Sequence, residues 1–262
     1  MEKPLKHIVI TGASSGIGEA LALTYAGPEV LLSLTARNPE RLNTVMTLCR
    51  AKGAQVHTAL INVTDGPTMT DWLIARDSTM PVDLLIANAG VSAGTEGLFT
   101  GEDSAQIKTL FDVNFFGVLN TIEPLKTRMI ERQRGQIALM SSLAGYRGWA
   151  GAPAYCASKA AVRVYGQALR SALAPHHVNV TVICPGFVKS RMTAVNTFSM
   201  PFLMDTDKAA RHIIKRLTRN PALIAFPWPM VWGLRFLRLL PETLIQNISQ
   251  KQAGKQAFER PL

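Results

Sequence analysis

Short apolar runs alternate along the chain with longer segments in which apolar residues recur at helical spacing. Seven of these runs have the length and the β-branched or aliphatic content of strands. They lie at residues 7–11, 30–35, 55–61, 82–87, 136–141, 178–184 and 222–226. Residues 83–87 and 178–183 are apolar enough to be buried on both faces, which is typical of parallel strands covered by helices.

The segments between the strands are predicted to be helices. One begins at Ile17, and another has Asn38 as its N-cap and Pro39 as its first residue and runs to about Lys52. Strands that alternate with helices form right-handed βαβ units, so the pattern predicts an α/β fold with a doubly wound parallel sheet. The sequence has no repeat, low-complexity stretch or linker, and we expect residues 1–262 to form a single domain.

The composition is that of a globular protein, with 47% hydrophobic and 18% charged residues. Cys49, Cys156 and Cys184 lack the spacing of a disulfide scaffold or a metal site, which fits a reducing, intracellular compartment. The first predicted strand begins too early to leave room for a signal peptide, and no run is long enough for a transmembrane helix. We expect a cytoplasmic protein without a metal, either soluble or associated with the inner face of a membrane.

The net charge of +10 is unevenly distributed. Residues 208–262 contain 10 basic and 2 acidic residues, whereas the rest of the chain is almost neutral. A nucleic-acid-binding protein is expected to carry a more uniform basic surface, so this distribution argues against that function. Arg128, Arg132 and Arg134 are interpreted as the solvent-facing side of the helix before the fifth strand.

A glycine-rich turn follows the first predicted strand. Gly12, Gly16 and Gly18 lie where the strand gives way to a helix. Glycines at such a place allow a tight turn and let the backbone approach a pyrophosphate, which the free N–H groups of the helix then bind. Alone the turn is weak evidence for a dinucleotide site, because many glycine-rich turns bind nothing.

The complete run from Thr11 to Gly18, Thr-Gly-Ala-Ser-Ser-Gly-Ile-Gly, resembles the short-chain dehydrogenase/reductase family. Further landmarks of that family follow in order, namely Asn88-Ala89-Gly90, Asn114, Ser142, Tyr155, Lys159 and Pro185-Gly186. The resemblance covers about residues 5–195. It implies a Rossmann-type sheet of about seven strands with helices on both faces, and an oxidoreductase that uses NAD(H) or NADP(H). The residues expected to bind the cofactor are Gly12, Ser14, Ser15, Gly16, Ile17, Gly18, Arg37, Asn62, Val63, Asn88, Ala89, Gly90, Tyr155, Lys159, Pro185, Gly186, Val188 and Ser190.

The end of the second predicted strand bears on the choice of cofactor. Enzymes that prefer NAD place a carboxylate there, which binds the ribose hydroxyls and repels a 2′-phosphate. Residues 34–38 contain no acid, and Arg37 is placed to pair with the phosphate, so we expect NADP(H). Two positions depart from the family pattern. Asn62 stands where Asp is common and Ser190 where Thr is common, and both keep a hydrogen-bonding group.

Tyr155 and Lys159 are four residues apart, so a helix places them on one face. The ordinary pKa of tyrosine is about 10, and a nearby ammonium favours phenolate, so we expect Lys159 to lower the pKa of Tyr155. The resemblance implies that Tyr155 is the acid/base, that Ser142 hydrogen-bonds the substrate oxygen, and that Lys159 also holds the nicotinamide ribose. It further implies that Asn114 supports a water passing protons toward Lys159. The predicted reaction interconverts a carbonyl and a secondary alcohol.

Two other functions are compatible with such a fold. One is a sugar-nucleotide epimerase or dehydratase, although those relatives usually have another glycine spacing and a larger C-terminal region. The other is a binding protein that only senses NADP(H), against which the intact set of Ser142, Tyr155 and Lys159 argues. Family members are often dimers or tetramers, so we expect a homo-oligomer.

Residues 228–262 form an amphipathic, basic C-terminal segment. In a helix, Arg235 and Arg238 share one narrow face and apolar residues cover most of the rest, which is too apolar for an ordinary surface helix. Three interpretations remain open. Residues 228–241 lie in a membrane interface, cover an apolar substrate pocket as a lid, or form a subunit contact.

The substrate pocket is predicted to be lined by residues 91–101, 143–152 and 187–205. Candidate lining residues in these stretches are Gly94, Phe99, Trp149, Phe187, Met192, Phe198, Met200 and Phe202. Their apolar character indicates an apolar pocket. If residues 228–241 meet lipid, the expected substrate is a hydrophobic ketone or alcohol, such as a sterol, a long-chain keto-lipid or a retinoid-like molecule.

Overall fold

The structure is a computed structural model that describes residues 5–95, 101–196, 198–237 and 239–241. The strands are β1 His7–Thr11, β2 Leu31–Ala36, β3 Gln55–Leu60, β4 Leu84–Ala87, β5 Gly135–Met140, β6 Val178–Pro185 and β7 Leu223–Phe226. The helices are α1 Gly16–Tyr25, α2 Pro39–Ala51, α3 Gly66–Thr79, α4 Ser104–Phe111, α5 Gly117–Glu131, α6 Pro153–Leu173, α7 Arg191–Ala194, α8 Thr206–Leu217 and α9 Trp228–Leu237. Each of the seven predicted strands is present, with its ends within two residues of those expected.

The seven strands form one parallel sheet in the order β3-β2-β1-β4-β5-β6-β7. The chain first builds outward from β1 to β3 and then crosses back to place β4 on the other side of β1. This reversal is the topological switch point of a doubly wound fold, where a crevice opens at the carboxyl ends of the strands. The predicted fold class is therefore confirmed.

Helices cover both faces of the sheet because successive strand residues point to opposite sides. On one face, Ile8 and Ile10 of β1 belong to an apolar core that also contains residues of α1, α2 and α8. On the other face, Val9 lies in a core with α3, α5 and α6. The apolar runs thus correspond to strands buried on both sides, as the sequence predicts.

The second helix begins as predicted. The side chain of Asn38 accepts a hydrogen bond of 2.9 Å from the backbone N–H of Arg41, and Pro39 is the first helical residue. Such an N-cap satisfies one of the free N–H groups at the start of a helix. The helix ends at Ala51, so Lys52 is its C-cap rather than its last residue.

The interpretation of three arginines as a solvent-facing surface is correct only in part, because Arg134 is exposed whereas Arg128 and Arg132 are half-buried and all three form ion pairs. Arg128 and Arg132 form ion pairs of 2.6 and 2.7 Å with Asp77, whose side chain is buried, and Arg134 pairs with Asp83. Burial raises the pKa of Asp77, but hydrogen bonds from the backbone and from both arginines outweigh this effect and leave the pKa below its ordinary value. The arginines therefore stabilise carboxylates buried under the sheet's amino-terminal edge.

Candidate active site

The glycine turn lies between β1 and α1 and packs closely against the loop after β4. Gly12 and Gly16 have positive φ angles of 67° and 59°, a region that glycine adopts readily. A Cβ on Gly12 would lie 2.8 Å from the Cα of Ala89, and one on Gly18 would lie 2.4 Å from the carbonyl oxygen of Gly12. Glycine is required at these positions because the neighbouring backbone leaves no room for a side chain.

Hydrogen bonds join the two loops at the switch point. The hydroxyl of Thr11 accepts from the backbone N–H groups of Asn88 and Ala89, at 3.1 and 3.2 Å. The side-chain amide of Asn88 donates to the carbonyls of Thr11 and Gly12, at 2.9 and 3.3 Å. Thr11 was not among the predicted site residues, although a hydroxyl at the end of a first strand is visible in the sequence.

A cleft of about 1180 Å³ opens at the carboxyl edge of the sheet and extends from the end of β2 to α9. Most of the predicted site residues line it. They are Gly12, Ser14, Ser15, Gly16, Ile17, Arg37, Asn62, Val63, Asn88, Ala89, Gly90, Ser142, Tyr155, Lys159, Pro185, Gly186, Val188 and Ser190. The two other predicted residues, Gly18 and Asn114, do not line the cleft but contact residues that do. Gly18 packs against Gly12, and Asn114 accepts a hydrogen bond from the backbone N–H of Val91.

Two arginines line the cleft near the end of β2. Arg37 is exposed and lies just before α2, and Arg41 lies four residues later, in the first turn of that helix. The Nε of Arg41 is buried without a hydrogen-bond partner among the described residues. A buried guanidinium nitrogen is costly unless it is paired, so this position fits an anionic ligand. The sequence analysis missed Arg41 because it lies beyond the strand end on which the cofactor argument was based.

The glycine turn and this pair of arginines together fit a phosphorylated dinucleotide. The turn offers backbone N–H groups at the start of α1 to a pyrophosphate, and the arginines offer cations to a further phosphate. Asn62 is exposed and lines the same end of the cleft, consistent with a position beside the adenine. The residues present therefore fit the cofactor that the sequence predicts.

Ser142, Tyr155 and Lys159 meet in the middle of the cleft. Ser142 lies just beyond β5, while Tyr155 and Lys159 share one face of α6. The side chains of Ser142 and Tyr155 are hydrogen-bonded to each other. The Nζ of Lys159 donates to the carbonyl of Met140 at 3.1 Å and is buried. The structure thus brings together the three residues that the sequence places up to 17 positions apart.

The pKa of Tyr155 is raised in this structure, so the expectation that Lys159 lowers it is wrong. Burial raises the pKa of Tyr155 to about 12, and the hydrogen bond from Ser142 offsets only part of this effect. A phenol in an apolar surrounding holds its proton more tightly because the phenolate loses its solvation. At neutral pH Tyr155 is therefore a neutral phenol, which suits it to donate a proton.

Asn114 lies in a π-helical turn, Asp112–Phe116, between α4 and α5. Its side chain accepts from the backbone N–H of Val91 at 2.9 Å and donates to the carbonyl of Val91 and to Ser158, at 3.0 and 3.1 Å. A Cβ on Gly90 would lie 3.1 Å from Asn114 Oδ1 and 3.2 Å from Lys159 Nζ. Asn114 therefore fixes the loop after β4 beside the lysine.

The catalytic-site helix α6 receives a cap that the sequence analysis did not identify. Glu102 accepts a hydrogen bond of 2.7 Å from the backbone N–H of Ala154, the residue before Tyr155. Gln106 donates from the same region to Glu102 and to the carbonyl of Gly94. A carboxylate at a helix N-terminus pairs with the free N–H groups and with the helix dipole. Glu102 lies about 50 residues from α6 in sequence, so no local pattern signals the contact.

Residues after β6 form the far wall of the cleft. Ser190 is the N-cap of α7 and forms a capping box with Thr193, whose backbone N–H donates to the Ser190 hydroxyl. Ser190 also lines the cleft. Gly186 leaves no room for a side chain, since a Cβ there would lie 2.9 Å from Pro227 and 3.0 Å from the sulfur of Met230. This close approach holds the start of α9 against the site.

The predicted apolar pocket is confirmed in part. Trp149, Phe187, Met192 and Phe198 line the cleft, and the rings of Phe187 and Phe198 pack edge to face. The other predicted lining residues do not border it or lie outside the described residues. Gly94, Met200 and Phe202 are not in the lining, and Phe99 is not described. Phe202 is instead exposed to solvent.

Helix α9 has two different apolar faces. Its inner face buries Val231 and Leu234 in a cluster with Leu143 and lines the cleft. Its outer face exposes Trp228 and Trp232, at 73% and 60%. The structure therefore supports the lid interpretation for the inner face. The sequence predicts that Arg235 and Arg238 share one face of this helix, but Arg238 lies outside the described residues. The guanidinium of Arg235 stacks on the ring of Trp232, 5.2 Å from the ring centre.

The described part of the chain offers neither a metal-binding cluster of His, Cys, Asp and Glu nor a helix long and apolar enough to span a bilayer. The three cysteines are buried and are not joined in disulfides. Cys156 lines the cleft next to Tyr155, as a small apolar side chain rather than a metal ligand.

Comparison with known proteins identifies the family. The short chain dehydrogenase family matches residues 6–199. An uncharacterized oxidoreductase of Myxococcus xanthus is 35% identical over 95% of this chain and 98% of its own length. The ketoacyl reductase HetN of a Nostoc species is 29% identical over 82% of this chain and 76% of its own length. A short-chain dehydrogenase from Sphingobium yanoikuyae, solved in complex with NADPH, superposes with a TM-score of 0.79 at 24% identity, covering 95% of this chain and 99% of that chain.

The chain belongs to the short-chain dehydrogenase/reductase family. It is accordingly an oxidoreductase of alcohol and carbonyl groups that uses a nicotinamide dinucleotide. The cleft described above is the place in this fold where a dinucleotide and a small substrate fit together.

The cap on α6 gives a direct test of the site's architecture. Replacing Glu102→Ala removes the acceptor for the Ala154 N–H and is expected to lower the free energy of unfolding by about 0.5–2 kcal/mol. Glu102→Gln keeps an acceptor oxygen and is expected to retain most of that stability. Urea denaturation of both variants measures the difference, and equal stability of the two would contradict the assignment of Glu102 as a cap.

Proposed function

We propose that this protein is an NADP(H)-dependent reductase of hydrophobic carbonyl compounds, with Tyr155 as its acid/base. The observation that carries the proposal is the meeting of Ser142, Tyr155 and Lys159 in a cleft that also contains the glycine turn and Arg37. The bound cofactor supplies the hydride. We further propose that the whole chain is a single dinucleotide-binding and catalytic domain.

The side chains divide the chemistry of proton transfer among them. In the reductive direction, Tyr155 donates its proton to the substrate oxygen while Ser142 orients that oxygen through a hydrogen bond. At neutral pH the phenol carries the proton that this step requires, because burial raises the pKa of Tyr155 to about 12. In the oxidative direction the same phenol oxygen removes the hydroxyl proton.

Lys159 assists Tyr155 from the next turn of α6. Its ammonium, when near the developing phenolate, stabilises the negative charge that remains after proton donation. Lys159 also holds the nicotinamide ribose in this proposal, and Asn114 supports a water that returns a proton toward it. The contacts of Asn114 with Val91 and Ser158 keep this part of the site rigid.

The preference for NADP(H) rests on charge. The end of β2 has no carboxylate to bind ribose hydroxyls, whereas Arg37 and Arg41 both line that end of the cleft. The Nε of Arg41 is buried without a hydrogen-bond partner among the described residues, which supports an anion at this place beside the exposed Arg37. A 2′-phosphate satisfies both cations.

The acid/base role of Tyr155 is tested by removing one oxygen atom. Tyr155→Phe is expected to lower kcat for NADPH-dependent carbonyl reduction by about 10²–10⁴-fold, because general acid catalysis is lost. Tyr165→Phe is the matched control, since Tyr165 lies on the same helix and bonds to Glu123. The assay follows NADPH oxidation against a panel of aldehydes, ketones and keto-lipids.

An unchanged rate in the Tyr155→Phe variant would contradict the catalytic proposal. Binding of NADPH with no turnover by the wild type on any carbonyl would instead favour a protein that only senses the cofactor. A sugar-nucleotide epimerase or dehydratase would convert its nucleotide sugar without net oxidation of the cofactor.

Cofactor preference is tested at the two arginines. Arg37→Ala and Arg41→Ala are each expected to weaken NADPH binding at least tenfold and to leave NADH binding unchanged, because only NADPH carries the 2′-phosphate. Lys52→Ala, an exposed cation at the end of the same helix, serves as the control. Calorimetric titration with both cofactors measures the effect. Equal losses for NADPH and NADH would overturn the phosphate assignment.

The proposed substrate is apolar. Trp149, Phe187 and Phe198 face the same cleft as Tyr155, together with apolar residues of α9. Burial of apolar substrate surface against such a lining is favourable, at about 25 cal/mol per Å². The Nostoc relative is named a ketoacyl reductase, and a ketone on an acyl chain fits this lining.

We also propose that the protein is cytoplasmic and that the outer face of α9 contacts an anionic membrane surface. Trp228, Trp232 and Phe236 are four residues apart and exposed at 60% or more. Aromatic side chains beside basic residues are typical of helices that lie in a membrane interface. The surplus of basic residues in 208–262 has the charge that anionic lipid headgroups attract.

Membrane contact is tested by flotation with vesicles. The wild type is expected to float with vesicles containing anionic phosphatidylglycerol and to float less with neutral phosphatidylcholine vesicles. The double substitution Trp228→Ser and Trp232→Ser is expected to reduce flotation several-fold, because the exposed rings supply the apolar contact. Leu48→Ser, an exposed apolar residue on α2, is the control. Absence of wild-type protein from the anionic vesicles would contradict the proposal.

Self-association as a dimer or tetramer belongs to the same proposal. Phe116 and Val164 are apolar residues that are more than half exposed. Their sequence neighbours Phe115 and Tyr165 contact each other at 6.1 Å, so the two exposed residues lie on adjoining segments. A subunit interface over this surface removes apolar area from water.

A further inference from the structure

Helix α9 contributes one continuous face to the cleft. Met230, Gly233, Leu234 and Leu237 all line it, and their spacing of three or four residues places them on one side of the helix. Leu234 is buried against Leu143, which directly follows Ser142. This face therefore forms the wall of the cleft that lies beyond the site of proton transfer.

Gly233 interrupts this apolar face. It lies inside a regular helix, where glycine is less favourable than alanine. A Cβ built on Gly233 meets no atom within 4 Å, and the residue does not have a positive φ. Neither packing nor backbone conformation therefore requires glycine at this position.

Gly186, on the facing loop, shows the contrast. A Cβ there would lie 3.0 Å from the sulfur of Met230, so that glycine is required for α9 to pack against the site. At Gly233 the place of a Cβ is open space, on the helix face that also carries Met230 and Leu237. Gly233 lines the cleft and is also exposed, so this open position lies where the cleft meets solvent.

We propose that Gly233 is a specificity-determining residue that lets the unbranched apolar chain of a long ketone cross α9 and leave the cleft. This inference rests on the proposed carbonyl reductase function and narrows its substrate to elongated 3-oxoacyl or alkyl ketones. The cleft, about 1180 Å³, exceeds the volume of about 300–1,000 Å³ that is usual for one small-molecule site. A volume above this range is expected of a cleft that takes a dinucleotide and a substrate together.

The experiment compares two leucines placed on the same helix. Gly233→Leu fills the gap, whereas Arg235→Leu adds the same side chain at an exposed position outside the cleft. The kcat/KM of each variant is measured with 3-oxo esters of four and twelve carbons and with NADPH as the reductant. Gly233→Ala is included because alanine in an open helical position is expected to raise Tm, which shows that the site tolerates a side chain.

Gly233→Leu is expected to lower the ratio of kcat/KM for the long ester over the short ester at least tenfold, and Gly233→Ala to lower it less. Arg235→Leu is expected to keep the wild-type ratio within a factor of two. An unchanged ratio in Gly233→Leu, or an equal change in Arg235→Leu, would overturn the assignment.

A binding measurement separates this inference from the proposed function. Calorimetric titration of the wild type and Gly233→Leu with 2-dodecanone in the presence of NADP⁺ measures binding without turnover, because neither ligand can donate a hydride to the other. Affinity at least tenfold weaker in the variant is the expected result, and equal affinity overturns the inference. If the wild type reduces no carbonyl, the proposed function is wrong. The titration would then still test the role of Gly233, because it measures binding rather than activity.

Discussion

The close approach of two backbone loops at the switch point of the sheet is the constraint on which the site depends. Gly12 faces Ala89 at a distance that excludes any side chain, and the Thr11 hydroxyl and the Asn88 amide join the loops through four hydrogen bonds. This contact holds the start of α1 and the loop after β4 as two walls of one cleft. Most of the residues proposed to bind the dinucleotide line this cleft.

Helix α6 supplies two of the side chains that the proposed reaction uses. It presents Tyr155 and Lys159 from one face, and contacts from distant segments fix its position, including Glu102 at its N-terminus and Ser141, which donates to the carbonyl of Lys159. Burial raises the pKa of Tyr155 and keeps the phenol neutral at neutral pH, as its proposed role of proton donor requires. The apolar side chains that line the same cleft are the basis for proposing an apolar substrate.

The sequence predicts the seven strands and most of the cleft lining because these depend on local patterns. Apolar runs mark strands buried on both faces, and the landmarks of the family are short motifs at the strand ends. Contacts between distant segments leave no such local signal. The pairing of Arg132 with Asp77, the cap from Glu102 and the open space at Gly233 depend on which elements pack together. The pKa of Tyr155 was mispredicted for the same reason, since burial outweighs what residue spacing suggests.

The central claim is that the cleft transfers hydride from NADPH to a carbonyl carbon. The most direct measurement is a reaction with NADPH deuterated on one face of its nicotinamide C4, with mass spectrometry and NMR of the alcohol product. We predict one deuterium on the carbinol carbon from one of the two C4-labelled stereoisomers and none from the other. Product without label from both stereoisomers, or label lost to solvent, would contradict direct transfer in this cleft.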